Sequence, residues 1–98
     1  MKIELIEFYP GKSPKNKNFV GNAHIYLIDA DIDVRGIAVF RIKNGYFVRM
    51  PDRFSKDLKT GKEVRFPVIR FANNMKQQAM IKEVVRLVTE HLNEKKNA

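Results

Sequence analysis

The sequence predicts an α+β domain, an antiparallel β-sheet of about five strands with one C-terminal α-helix. Three observations support this. Apolar residues alternate with polar ones through most of the first seventy or so positions. Gly, Pro, Asn or Asp punctuate most of these runs. From Asn73 or Asn74, either a good N-cap, to about Asn93, the apolar spacing becomes helical. Ninety-eight residues make one domain, read as residues 1–93 with a frayed tail at 94–98. Such a chain buries only about 60–65% of its unfolded surface, so its core is modest and self-association would help it.

Residues 2–8 read as the first strand, with Ile3 and Leu5 on one face and Ile6 and Phe8 on the other. The alternation of charged and apolar residues there reads as structure, not as a secretory leader. Residues 10–18 are a loop, rich in breakers and carrying Lys12, Lys15 and Lys17. Phe19 to Asp29 reads as a second strand, and Ala30-Asp31 as the turn into a third, Ile32 to Ile42. That third strand is apolar on both faces through Ile37, Ala38, Val39 and Phe40, which places it centrally in the sheet. Asn44-Gly45 is a strong hairpin signal, because a type I′ turn needs positive φ at both central residues. Tyr46 to Met50 returns as the fourth strand. Pro51 then opens a cationic loop, and Glu63 to Phe71 reads as a fifth strand, at an edge or bulged because Pro67 cannot donate a ladder hydrogen bond. In the final helix, Met80, Ile81, Val84, Val85, Leu87, Val88 and Leu92 share a face about 160° wide, with Lys82, Arg86 and Thr89 opposite. Strands and helix leave one sheet face only partly covered, which a homodimer formed through the β-sheet would resolve.

Charge is the strongest global fact. The net charge is +8, which attracts polyanions such as nucleic acid, anionic lipid or acidic protein. Residues 49–70 hold Arg49, Arg53, Lys56, Lys59, Lys62, Arg65 and Arg70 against Asp52, Asp57 and Glu63. From Arg53 to Arg65 a cation recurs at every third position, a spacing that fans charges around a loop and suits contact with a phosphate backbone. Arg53 and Arg65 can grip phosphate bidentately, whereas the lysines act as point charges. An ordinary soluble loop protected by charge is the plainer alternative. Lys82 and Arg86 lie four apart on the exposed helix face and could follow a backbone, although Glu83 and Glu90 dilute their field.

Gly45-Tyr-Phe-Val-x-Met-Pro51 resembles the core motif of the stage V sporulation protein G family of septation regulators. The similarity extends upstream to Asn22-Ala-His-Ile-Tyr-Leu-Ile-Asp29 and downstream to Glu63-Val-Arg-Phe-Pro-Val68, covering roughly residues 1–92. The resemblance implies a small dimeric bacterial regulator that binds DNA, and in some members RNA. It also implies a β-sheet with a C-terminal helix, and places nucleic-acid contact after Met-Pro, where members carry Ser-Lys-Arg. Here Asp52, Arg53 and Phe54 stand at those positions, so one cation is kept, one is lost and an acid is gained.

Other chemistry is weakly signalled. Tyr46, Phe47 and Phe54 raise base stacking beside cations, but Tyr46 and Phe47 point to opposite sheet faces, so at most one of that pair faces a ligand. Asp29-x-Asp-x-Asp33 lacks the Gly and the bidentate Glu of a calcium loop and reads as a polar turn. Lys59-Thr-Gly61 likewise reads as a turn. His24 and His91 are isolated, and cysteine is absent, which removes disulfides, thiolate metal sites and cysteine nucleophiles. The expectation is therefore a non-enzymatic nucleic-acid-binding regulator in the cytoplasm, with DNA and/or RNA as partner. It has no membrane segment, small-molecule substrate, cofactor or metal. The alternative is an interaction module whose basic loop docks an acidic protein in cell division or regulation.

Overall fold

A computed structural model describes residues 1–96, without the side chains of Phe54, Arg65, Phe66, Pro67, Lys95 and Lys96. Its elements are β1 (Ile3–Pro10), β2 (Phe19–Leu27), β3 (Ile32–Ile42), β4 (Gly45–Arg49), β5 (Asp52–Lys56), β6 (Glu63–Pro67) and α1 (Asn74–Lys96). The first four strands form an antiparallel meander in the order β1-β2-β3-β4, and β5 and β6 pair as a separate hairpin. The α+β architecture is as the sequence predicts, with β3 interior to the sheet. The helix runs three residues beyond the boundary expected at Asn93.

The alternation in β1 does not continue unbroken, as the sequence suggested. Leu5 pairs with Ile25 and Glu7 with His24, so Ile6 is an extra residue. This bulge shifts the period by one and returns Phe8 to the face of Ile3, leaving Ile6 45% exposed. β3 carries a matching irregularity. Ala23 pairs with Ile37 and Ile25 with Val34, so Arg35 and Gly36 together oppose His24. Gly36 takes φ 75° at this bulge, a conformation open to glycine at little cost. Gly21 has a different reason for lacking a side chain. A Cβ there would stand 2.4 Å from the Tyr9 carbonyl oxygen, where β1 and β2 approach closely.

The turns divide similarly. Asp31 takes φ 53° and closes the β2–β3 turn, its N–H donating to the Ile28 carbonyl at 3.3 Å. The β3–β4 turn departs from type I′. Ile42 pairs with Gly45, so the turn centres on Lys43 and Asn44, neither of which has positive φ.

Asn73 is the N-cap of α1: its Oδ1 accepts from the N–H groups of Met75 at 2.9 Å and Lys76 at 3.1 Å. Met80, Val84 and Val88 are fully buried, while Ile81, Val85, Leu87 and Leu92 pack around them. They meet Ile25, Ile37 and Val39 from the interior strands. The helix contacts β1 and β4, the two edge strands, and so spans one face of the sheet. Among the described residues, no helix covers the opposite face.

Candidate nucleic-acid interface

The segment expected to be a cationic loop is instead a hairpin. Asp52 pairs with Pro67, Arg53 with Phe66, Phe54 with Arg65, Ser55 with Val64 and Lys56 with Glu63. At its tip, the Asp57 N–H donates to the Lys62 carbonyl at 2.9 Å and the Gly61 N–H to the Asp57 carbonyl at 2.7 Å. Lys59-Thr-Gly61 is therefore a turn, as read. At its base, the Val68 N–H donates to the Pro51 carbonyl at 3.0 Å. The hairpin's principal packing is against itself. This projecting arm fits a radius of gyration of 14.8 Å, against about 13 Å for a compact chain of this length.

Strand geometry replaces the expected fan of cations. Arg53 and Lys56 differ by three positions on one strand, so they point to opposite faces of the ladder. Lys59 and Lys62 lie in the tip. All four are exposed, and none is held in an ion pair among the described residues. The side chains of Arg65 and Phe54, two further candidates, lie outside the described residues. Arg70 donates to Asn74 Oδ1 at the start of the helix.

Arg86 is differently placed from the arm cations. Its guanidinium binds Glu83 one turn back and Glu90 one turn ahead, the latter at 2.7 Å. The hydrogen bond from Arg86 holds the Glu83 carboxyl below its ordinary range, and the same pairing raises the Arg86 guanidinium above its own. Its three nitrogens are thus each engaged within the helix, and the two carboxylates compete with a phosphate for the guanidinium. Lys82 is exposed one turn away.

Arg49 lies on the uncovered face of the sheet. Its guanidinium carbon sits 5.2 Å from the Phe40 ring centroid. Register explains the company it keeps. Phe19 pairs with Phe40 and Phe40 with Phe47, forming one row across β2, β3 and β4. Phe40 and Phe47 stack at 4.9 Å with 14° between planes, and Phe19 meets Phe40 edge-on at 5.7 Å. Phe40 is only 4% exposed although no helix covers it, whereas Phe47 is 44% exposed. Tyr46 is buried on the helix side, so the expected opposition of Tyr46 and Phe47 holds. A second row runs Tyr9, Asn22, Ala38 and Arg49.

Charge is segregated along the strands. No acid occurs at residues 8–28 or 34–51, while Lys12, Lys15, Lys17, Lys43 and Arg49 lie on the segments that carry the aromatic end of the sheet, and Arg41 turns to the helix side over the Tyr46 ring. Acids gather at the other end. Asp31 Oδ1 accepts from the Tyr26 hydroxyl at 2.6 Å, and that hydrogen bond, before any other cause, raises the phenol above its usual pKa. Asp33 Oδ1 lies 3.2 Å from His24 Nε2. The Asp31 and Asp33 carboxylates are thus drawn toward β2 side chains, and no metal-holding cluster occurs among the described residues. His91 packs on Phe8 with ring centroids 5.7 Å apart on the helix side, so the two histidines do not converge. Sequence reasoning missed Tyr9, Phe19 and Phe40 as companions of Phe47. The legible signal was the pair of acid-free spans.

No family model, curated protein or solved structure matches the chain.

Proposed function

We propose that the protein is a nucleic-acid-binding regulator, taking DNA or RNA chiefly through the phosphate backbone and acting as a homodimer. One observation carries this reading: Arg53, Lys56, Lys59 and Lys62 stand exposed on a projecting arm, without ion-pair partners among the described residues. Unpaired cations release condensed counterions when they meet phosphate. The net charge of +8 and the resemblance to the stage V sporulation protein G family at Gly45–Pro51 support the same reading. We propose the cytoplasm as its compartment, where a regulator meets nucleic acid. No helix among the described residues is long and apolar enough to cross a membrane.

The arm's energetics support the proposed dimer. A lone two-stranded hairpin is marginal in water, and Val64 and Val68 are exposed on this one. A second copy's hairpin would extend the ladder and pair its open edge. Two arms then engage one strand or duplex, and avidity strengthens weak individual contacts. Sedimentation of a monomer at micromolar concentration would contradict this.

Titration against DNA, RNA and heparin at about 50 and 200 mM salt tests the function. The expected outcome is DNA or RNA binding that persists at the higher salt. Weak affinity for every polyanion alike would favour a module that docks an acidic protein.

A further inference from the structure

We infer that the uncovered sheet face is a base-stacking platform for single-stranded nucleic acid, centred on Phe47 and Arg49 at one edge and extending across the sheet through Asn22 to Tyr9 at the other. The inference rests on the nucleic-acid reading above and extends it from phosphates to bases. Phe40 covers one side of the Phe47 ring, fixing it upright, and the remaining surface of Phe47 is open to solvent. A ring clamped in this way loses little freedom when a base stacks on it. Stacking accepts any base, because every base has a π-face.

The second row supplies what stacking lacks. Tyr9 is an exposed aromatic on β1, Asn22 offers an amide to a base edge, and Ala38 is too small to obstruct it. Arg49 completes the row with a guanidinium already seated against an aromatic ring. The rows lie two residues apart along the strands, about 7 Å, a spacing an extended strand of nucleotides can follow. Duplex bases are already stacked and could not reach Phe47, so the ligand is single-stranded.

Charge separates this occupant from a second copy of the chain. The segments that carry the aromatic end of the sheet hold Lys12, Lys15, Lys17, Lys43 and Arg49, with no acid at residues 8–28 or 34–51. Two copies laid aromatic row on aromatic row would bring these cationic ends together. A polyphosphate strand meets complementary charge there.

The test compares oligothymidylate with an abasic strand of equal length, which keeps the phosphates and removes the bases. The full chain should bind oligothymidylate more tightly. Phe47→Ala should weaken that binding about tenfold or more, leave abasic binding unchanged, and leave the sedimentation coefficient unchanged. Phe47→Tyr should retain the preference. The chain has no tryptophan, so Phe47→Trp supplies a lone indole whose fluorescence oligothymidylate should quench and the abasic strand should not. Equal loss on both strands, or none on either, overturns the platform while leaving backbone binding intact. Dissociation of a dimer by Phe47→Ala overturns it in favour of a second copy. Failure of the unaltered chain to bind either strand overturns both this inference and the function beneath it.

Discussion

The body of the molecule and its arm are both made of antiparallel strands, yet they are held by different means. In the body, Ile25, Ile37, Val39, Met80, Val84 and Val88 are fully buried between sheet and helix. The arm, β5 and β6, is paired by a ladder and closed by a turn, and among its described residues Val64 is exposed and Leu58 fully exposed at the tip. Burial fixes side chains in one geometry, while exposure leaves them free to move. The body can therefore present rings at fixed angles, and the arm presents charge whose value depends little on angle. Phosphate contact and base contact need these two kinds of surface respectively.

Amide hydrogen exchange should show the largest contrast. Amides of β2 and β3 should open only with global unfolding, at about 5–15 kcal/mol. Those of β5 and β6 should exchange orders of magnitude faster in the free protein and slow when ligand or a second copy is bound. Equal protection in dilute, ligand-free protein would erase the distinction.

Core truncation comes next. Met80→Ala empties a fully buried site and should cost about 2–5 kcal/mol in urea titration. Val64→Ala on the arm should change the unfolding free energy of dilute, ligand-free protein by no more than about 0.5 kcal/mol. A large effect at Val64 would mean that the arm is part of the core.

The smallest effect is electrostatic. Glu83 has a lowered pKa in the folded state because Arg86 donates to it. Its stabilising contribution is present above the unfolded carboxyl value, about 4.3, and is lost as pH falls through the lower folded value. Arg86→Gln should therefore make thermal stability slightly less sensitive to acid over that window. An unchanged acid profile would show that the pair contributes nothing measurable, as exposed pairs often do.

Much of the body was legible because one-sided burial writes alternation into a strand and a 3.6-residue period into a helix. The Ile6 bulge was not legible. The extra residue is itself apolar, so the pattern read as two apolar faces. β5 was hidden because Asp52–Lys56 carries one apolar residue among four polar ones, so its charges read as loop. Asn44-Gly45 marked the right hairpin with the wrong turn type, since neither residue takes positive φ. The aromatic row could not be seen at all in one dimension. Phe19, Phe40 and Phe47 are distant in sequence, and register alone makes them neighbours. The arm cations were legible as residues but not as an arrangement, because a three-residue repeat on a strand sends alternate members to opposite faces.

The slope of log affinity against log salt on duplex DNA, for the full chain and for Arg53→Ala/Lys56→Ala/Lys59→Ala together, tests the central claim most directly. The substituted protein should melt at nearly the original temperature, bind every sequence more weakly, and lose about 0.9 from its slope for each phosphate contact removed. An unchanged slope in a folded triple variant would place the binding surface elsewhere.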